Sequence, residues 1–244
     1  MRTKTIILIA ILSSLLVSCK TQNLLVKKNE VVDMKPFFFD TTYQYKIEKD
    51  DKVSISVWGE DSYSVGSVYG IYNSNEVYGK WLLVDANGNI EVPKIGTTNV
   101  LGKTIPELKE ILKNNLKQWL LNPVVDVKVL NKEITILGEV RNPNTILVDK
   151  DHNTLLEIVS KAGGFEFYAN LKSIKVLRQN GENVYVANID LTDATDILNK
   201  NIQLHPGDII IVPSKKNKEF DKRISTIIPF TTTVSAAAII MGLF

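Results

Sequence analysis

The chain has 244 residues, 44% of them hydrophobic, and setting aside its apolar ends leaves roughly 200 residues, enough for two small domains. The formal net charge is only +2, with acids and bases mixed, which excludes the strongly basic surface typical of nucleic-acid-binding proteins. Cys19 is the only cysteine, which excludes a disulfide framework and a thiolate metal site.

The amino-terminal segment predicts export from the cytoplasm. Residues 1–18 carry two early basic residues and the apolar run Ile6–Leu12, as a cleaved signal peptide does. They end in "LVSC", which resembles the lipobox of bacterial lipoproteins and predicts acylation of Cys19; an ordinary signal anchor is the alternative. Lys20, where inner-membrane lipoproteins carry aspartate, favours the outer membrane, with the body of the protein in the periplasm.

A polar tether and a first folded unit follow. Residues 19–40 lack periodicity and predict a lipidated tether, whose run Phe37–Phe39 we expect to dock on the first unit. In that unit, residues 41–131, the alternating Val53, Ile55 and Val57 predict a half-buried strand. Asn87-Gly88 predicts the turn of a β-hairpin between Trp81–Ala86 and Ile90–Ile95.

A helix and a last strand complete the first unit. Thr104 and Glu107 form a capping-box pattern ahead of an amphipathic helix that we expect to end at Pro123. The alternating run Val125–Val129 then predicts another strand, which gives an α+β unit.

A second unit, residues 132–214, has a similar pattern. Its predicted elements are a strand at Ile134–Gly138, a helix opened by a Thr154–Glu157 capping box and stopped by Gly163-Gly164, a hairpin around Asn180-Gly181, and a Pro206-Gly207 type II turn before the strand Ile209–Val212. One helix on a few strands in this length predicts a β-grasp arrangement, so the whole body is α+β.

The carboxyl-terminal segment predicts a membrane attachment. Residues 215–223 are a basic linker, either simply solvated or held at lipid headgroups. Residues 224–244 carry no charged side chain. As a helix they would span about 31 Å, with an interruption at Pro229. One face of that helix is small or weakly polar and consists of Thr231, Ser235, Ala238 and Gly242. This face predicts pore lining or helix packing, and a simple anchor is the alternative.

Residues suited to catalysis are sparse. His152 and His205 are the only histidines and neither has neighbours at metal-ligand spacing. The acidic pairs lie on predicted loops, and Gly163-Gly164 ends a helix instead of opening one, so no phosphate-binding loop is indicated. We therefore predict no enzyme activity, no catalytic residue, no metal and no cofactor.

Several motifs in a fixed order resemble one family. "YKIEKDDKVSISVWGE", "VDANGNIEVPKIG" and "TIPELKEILKNNLKQWLLNPVVDVKV" resemble the export domain of the polysaccharide biosynthesis/export family of outer-membrane capsule and exopolysaccharide translocons. "ITILGEVRNPNTILV", "NTLLEIVSKAGGFEFYANLKSIKVLR" and "IQLHPGDIIIVP" resemble its soluble-ligand-binding β-grasp (SLBB) domain. The resemblance implies a homo-oligomeric ring, a polysaccharide polymer as cargo, a helical pore in outer-membrane lipid and an inner-membrane polysaccharide co-polymerase as partner.

An insertion between Trp58 and Trp81 departs from that family. It is rich in tyrosine, and the aromatic faces could stack on sugar rings, or the segment could be an ordinary loop. The tyrosines are Tyr63, Tyr69, Tyr72 and Tyr78.

The sequence thus leads to one function and two alternatives. The first is a subunit of an outer-membrane polysaccharide export channel with a periplasmic vestibule. The second is a non-conducting periplasmic glycan-binding lipoprotein, which would be monomeric. The third is a cell-envelope hydrolase, which would need two carboxylates facing each other across a cleft.

Overall fold

The computed structural model describes residues 31–58, 65, 81–193, 200–222 and 225. Within them the chain is α+β, as predicted, with two hydrophobic cores. The strands are β1 (Val31–Val32), β2 (Lys52–Val57), β3 (Leu82–Leu83), β4 (Asn89–Val92), β5 (Gly96–Asn99), β6 (Val125–Val129), β7 (Glu133–Gly138), β8 (Asn144–Leu147), β9 (Asn153–Thr154), β10 (Ile174–Asn180), β11 (Asn183–Ile189), β12 (Gln203–Leu204) and β13 (Ile209–Val212). The α-helices named here are α1 (Ile105–Leu116) and α2 (Leu155–Lys161), and a short 3-10 helix spans Lys35–Phe37.

The first unit packs α1 against two small sheets. One sheet has the strand order β3-β2-β6 and the other pairs β4 with β5, all antiparallel. Val53, Ile55 and Val57 are buried while the residues between them are half-buried, which confirms the predicted alternation along β2. Strand β6 is also confirmed, and Val127 and Val129 face Ile55 and Val53 across the ladder.

The hairpin predicted at Asn87-Gly88 is wrong in its strands. The Asp85 carboxylate accepts the backbone N–H groups of Asn87 and Asn89, each at 2.8 Å, and bends the chain between two different sheets. Strand β3 therefore pairs with β2, and β4 pairs with β5 after a further turn in which Lys94 has a φ of 68°. The turn itself forms, with backbone bonds from the Gly88 N–H to the Asp85 carbonyl and from the Asp85 N–H to the Asn89 carbonyl, both at 2.9 Å, but the ladder does not continue beyond it because β3 pairs with β2.

The capping box at the start of α1 is confirmed. The Thr104 hydroxyl accepts the Glu107 N–H, and the Glu107 carboxylate accepts the Thr104 N–H at 2.8 Å. The helix ends at Leu116 instead of continuing to Pro123. The carbonyl of Leu116 accepts the N–H groups of Trp119 and Leu120, both at 2.9 Å, in a tight turn that closes the helix.

The second unit is built on a six-stranded mixed sheet. Its order is β1-β11-β10-β13-β7-β8, with parallel pairs at β1–β11 and β13–β7. The β10–β11 hairpin is confirmed, and so is the turn before β13, where Gly207 has a φ of 87° and the backbone N–H of Asp208 donates to the His205 carbonyl. Buried residues of α2 pack on the inner face of the sheet. The β-grasp name for this unit stays a prediction.

The second capping box is only half formed. Thr154 Oγ1 accepts the Glu157 N–H, but the Glu157 carboxylate bonds Lys150 at 2.9 Å and lies 3.5 Å from Lys161. Two lysines have outcompeted the backbone for this carboxylate. Gly163 and Gly164, with φ of 81° and 88°, end the helix as predicted.

Residues 31–43 form an N-terminal strap on the second unit, and the expected docking of Phe37–Phe39 on the first unit is wrong. Strand β1 joins the open edge of β11, and Phe37 is fully buried in the core formed by β7, β10, β13 and α2. Phe38 is 64% exposed, and the ring of Phe39 stacks on His152 at 5.6 Å. The strap thus precedes the first unit in sequence but completes the core of the second.

Among the described residues, no helix combines the length and the apolar character that crossing a bilayer requires. A helical turn at 218–222 follows the last strand. The predicted membrane helix, 224–244, lies outside the described residues except for Ser225.

Candidate functional site

A buried ion pair fastens the strap to the sheet. Arg178 on β10 and Asp208 before β13 are 8% and 1% exposed, and two bonds join them, Nε to Oδ1 at 2.9 Å and Nη2 to Oδ2 at 2.6 Å. The guanidinium also donates to the carbonyls of Gln203, at 3.0 Å, and Pro36, and it lies 4.5 Å above the Phe37 ring. Because each nitrogen of the Arg178 guanidinium has a hydrogen-bond partner, the cost of burying the charges is offset, and the strap and the sheet are held together.

Both histidines serve this strap. The His205 ring stacks on Tyr43 with centroids 3.7 Å apart, and burial, followed by the nearby Arg178 charge, lowers the pKa of His205 to about 4. Burial likewise raises the pKa of Tyr43 to about 12. His152 Nδ1 lies 3.2 Å from Nε2 of Gln203, whose Oε1 in turn accepts the backbone N–H of Asp40. Over the part of the chain that the structure describes, no three metal-ligating side chains come together.

The junction between the two units is also held by side chains. Lys132 is 3% exposed, bonds Asp151 at 3.0 Å and lies 5.5 Å above the Tyr45 ring of the first unit. The Tyr45 hydroxyl donates to Asp51 at 2.9 Å, and burial raises the pKa of both groups. Asn131 accepts the Lys52 N–H at 2.7 Å, so the chain is fixed on both sides of the junction.

Apolar side chains are exposed at one end of the first unit. Trp58 follows β2 and its side chain is 61% exposed, while its backbone N–H donates to the carbonyl of Val124 at 3.0 Å. Val124 is also exposed, and Leu121, three residues earlier, is 92% exposed. We call these three residues the apolar rim. Large exposed apolar groups that cluster in this way indicate a contact surface.

Two open grooves flank α1. The polar groove, of about 430 Å³, lies between the β4–β5 hairpin and the carboxyl-terminal half of the helix, and Trp119 is among the residues that line it. The basic groove, of about 390 Å³, lies between the helix and residues 122–125 and is lined by three lysines, of which Lys109 pairs with Asp126 at 2.6 Å. The first unit therefore offers two surfaces to a ligand beside the same helix.

The structure leaves most of the predicted site residues untested. Cys19, the four tyrosines Tyr63 to Tyr78 and the four tail residues Thr231 to Gly242 lie outside the described residues. Val65, described within the insertion, is buried and pairs with Ile55 of β2. Sequence reasoning missed the polar groove. Its available signal was the run "NNLKQW", which places amides and a tryptophan at the end of a predicted amphipathic helix.

Comparisons with known proteins divide the body at the same place as the two cores. The model of the polysaccharide biosynthesis/export protein family matches residues 40–130. The SLBB domain model matches residues 132–212.

Individual relatives agree with these matches. The chain is 27% identical over 213 residues to the EPS I polysaccharide export outer membrane protein EpsA of Ralstonia nicotianae, covering 82% of this chain and 55% of the relative. To its namesake in Ralstonia solanacearum it is 30% identical over 204 residues, 76% of this chain and 53% of the relative. It is also 30% identical over 130 residues to the capsule polysaccharide export outer membrane protein CtrA of Neisseria meningitidis, covering 52% of this chain and 32% of the relative. The chain thus spans about half the length of the Ralstonia relatives.

Proposed function

This chain belongs to the polysaccharide biosynthesis/export family, and we propose on that basis that it is a subunit of an outer-membrane channel that exports a capsular or secreted polysaccharide. Several copies form a ring, the two units of each copy line a periplasmic vestibule, and the carboxyl-terminal helices line the exit. The observation that carries the proposal is the pair of family matches in sequence order over residues 40–212. The named relatives are outer-membrane polysaccharide export proteins, which supports the same location for this chain.

Both proposed membrane attachments leave from the second unit. The strap joins that unit at β1, and the chain between Cys19 and Val31 reaches about 40 Å at full extension. At the other end, Ser214 pairs with Ala169, and Lys218 forms an ion pair with Glu139 of the second unit. Since the chain returns to the second unit at both ends, we place that unit next to the membrane and the first unit deeper in the periplasm.

The apolar rim supports contact between copies. Trp58, Leu121 and Val124 are exposed on a unit whose core is already complete, and leaving such groups in water is unfavourable. In a ring, each copy would cover the rim of its neighbour. The basic linker, residues 215–223, would rest at lipid headgroups while acyl chains on Cys19 and the tail provide two attachments.

The protein would guide polymer without altering it chemically. We assign no catalytic residue, cofactor or metal, and the small face of the tail, Thr231, Ser235, Ala238 and Gly242, would line the exit or pack between helices. An inner-membrane polysaccharide co-polymerase, facing the first unit, would deliver the polymer.

Deletion and complementation in the native host test this function. Loss of the gene should remove surface polysaccharide, and the wild-type gene should restore it. Variants Cys19→Ala and a chain ending at Arg223 should both fail to restore it although the protein accumulates. Normal surface polysaccharide in the deletion strain would refute a role in export.

Electron microscopy of the acylated full-length protein in detergent tests the assembly. A closed ring with a central lumen is expected. Protein that stays monomeric at every concentration, in a strain that still needs the gene for its surface glycan, would favour the non-conducting glycan-binding lipoprotein.

A further inference from the structure

The polar groove on the first unit is preformed. One wall is the β4–β5 hairpin, which is held by the bond from Asn99 Nδ2 to Asn89 Oδ1 at 3.0 Å and by Thr97 Oγ1 to Glu91 at 2.8 Å. The other wall is α1, whose first turn is fixed by its complete capping box. Both walls stand on the same core, so a ligand would enter without a rearrangement of the backbone. The volume of about 430 Å³ lies within the range of small-molecule sites.

The groove is lined by polar groups with spare bonding capacity. Among the described residues, the side-chain amides of Asn115 and Gln118 form no hydrogen bond to another protein group, although Asn115 is half-buried. An amide offers two N–H donors and a carbonyl acceptor, and the oxygen of Asn99 remains free beside its engaged nitrogen. Three amides around one groove suit a ligand that carries many hydroxyl groups, each both a donor and an acceptor.

Trp119 lines this groove. The indole is 48% exposed, and its backbone is held by the bond from its N–H to the Leu116 carbonyl at 2.9 Å. An indole face packs on the apolar C–H face of a sugar ring, and the ring N–H remains available as a donor. Lys103 contributes a positive charge to the groove lining, and this charge would favour a sugar that carries a carboxylate.

We propose that this groove is a saccharide-binding subsite, in which Trp119 stacks on a sugar ring while Asn99, Asn115 and Gln118 bond its hydroxyls. The ligand is a segment of the exported polymer, so the inference rests on the proposed function. The polymer would make contact here, on the first unit, before it reaches the second. A neighbouring copy is a poorer occupant, because it would bury three amides that need hydrogen-bond partners.

The test measures binding of short oligosaccharides, prepared from the surface polysaccharide of the host strain, to full-length protein in detergent. Isothermal titration should detect binding to the wild type. Trp119→Phe, which keeps an aromatic face, should bind within a few-fold of the wild type. Trp119→Leu and the pair Asn115→Ala with Gln118→Ala should each bind about tenfold more weakly. The matched control Phe38→Leu changes an exposed aromatic residue outside both the groove and the apolar rim and should bind as the wild type does.

Two outcomes overturn the subsite. Either the oligosaccharides do not bind the wild type, or Trp119→Leu binds as tightly as Trp119→Phe. A Trp119→Leu variant that changes the oligomeric state, with no oligosaccharide binding to the wild type, would show that the groove is a contact between copies. An unchanged melting temperature in each variant excludes loss of fold. If the deletion strain lacks surface polysaccharide while the groove variants restore it fully and bind normally, the subsite fails and the export function stands.

Discussion

Truncating Phe37 should detach the strap at a large cost in stability. The ring is fully buried in the core of the second unit, and an aromatic side chain buries about 150–250 Å². At about 25 cal/mol per Å² the burial contributes about 4–6 kcal/mol, and Phe→Ala changes in cores cost about 3–5 kcal/mol. The Arg178 guanidinium above the ring would lose its cation–π contact as well. We therefore expect Phe37→Ala to lower the free energy of unfolding by about 4 kcal/mol.

The neighbouring Phe38 provides the control. It has the same side chain, one position later, but is 64% exposed, so Phe38→Ala should change the free energy of unfolding by less than about 0.5 kcal/mol. Urea denaturation of the purified protein, followed by circular dichroism, measures both values. Hydrogen exchange should also show faster exchange along β11, the strand that β1 covers. Equal losses for the two variants would refute the assignment of Phe37 to the second core.

Three further changes test the network around the strap and the start of α1. Asp208→Asn leaves the Arg178 charge buried without its partner and should cost about 3–5 kcal/mol in urea titrations. Arg178→Met combined with Asp208→Leu should recover only part of this loss, because it also removes the bonds from Arg178 to the carbonyls of Gln203 and Pro36. Wild-type stability of the single variant would contradict the pair. Between pH 6.5 and about 4 the unfolded chain binds a proton at His205 that the folded chain does not. As the pH falls through this range, the free energy of unfolding of the wild type should therefore decrease by about 1–2 kcal/mol relative to that of His205→Phe, after allowance for partial exposure. Parallel pH profiles of the two proteins would disprove this. Thr104→Ala should cost about 1 kcal/mol and Thr104→Ser almost nothing in the same titrations; equal losses would argue against the capping bond.

Features that depend on near neighbours in the chain could be predicted from the sequence. The capping box of Thr104 and Glu107 is complete within four residues, and the alternation along β2 needs only a core on one side. Competing partners produced the errors. The turn at Asn87-Gly88 formed, but β3 paired with β2 instead of β4, and lysines bonded the carboxylate of Glu157.

Features that depend on distant contacts could not be predicted. The carbonyl of Pro36 meets Arg178 across 142 residues, and nothing near the phenylalanine run indicates which unit it joins. The polar groove exists only because the β4–β5 hairpin and α1 stand on one core, so the run "NNLKQW" could indicate the helical wall but not the hairpin wall opposite it. The sequence-based choice of sugar-contact residues instead followed composition and selected the tyrosines of the insertion, Tyr63, Tyr69, Tyr72 and Tyr78. Their contact with sugar remains a prediction.

The position of the strap affects the order in which the body can fold. Residues 31–43 are synthesised before every strand they contact, and the partners Arg178 and Asp208 come near the end of the body. A fragment of residues 132–214 alone would have a vacancy at the position of the Phe37 ring and a bare edge on β11. The strap is therefore made early but docks last, and its docking requires that the chain has been completed through β13.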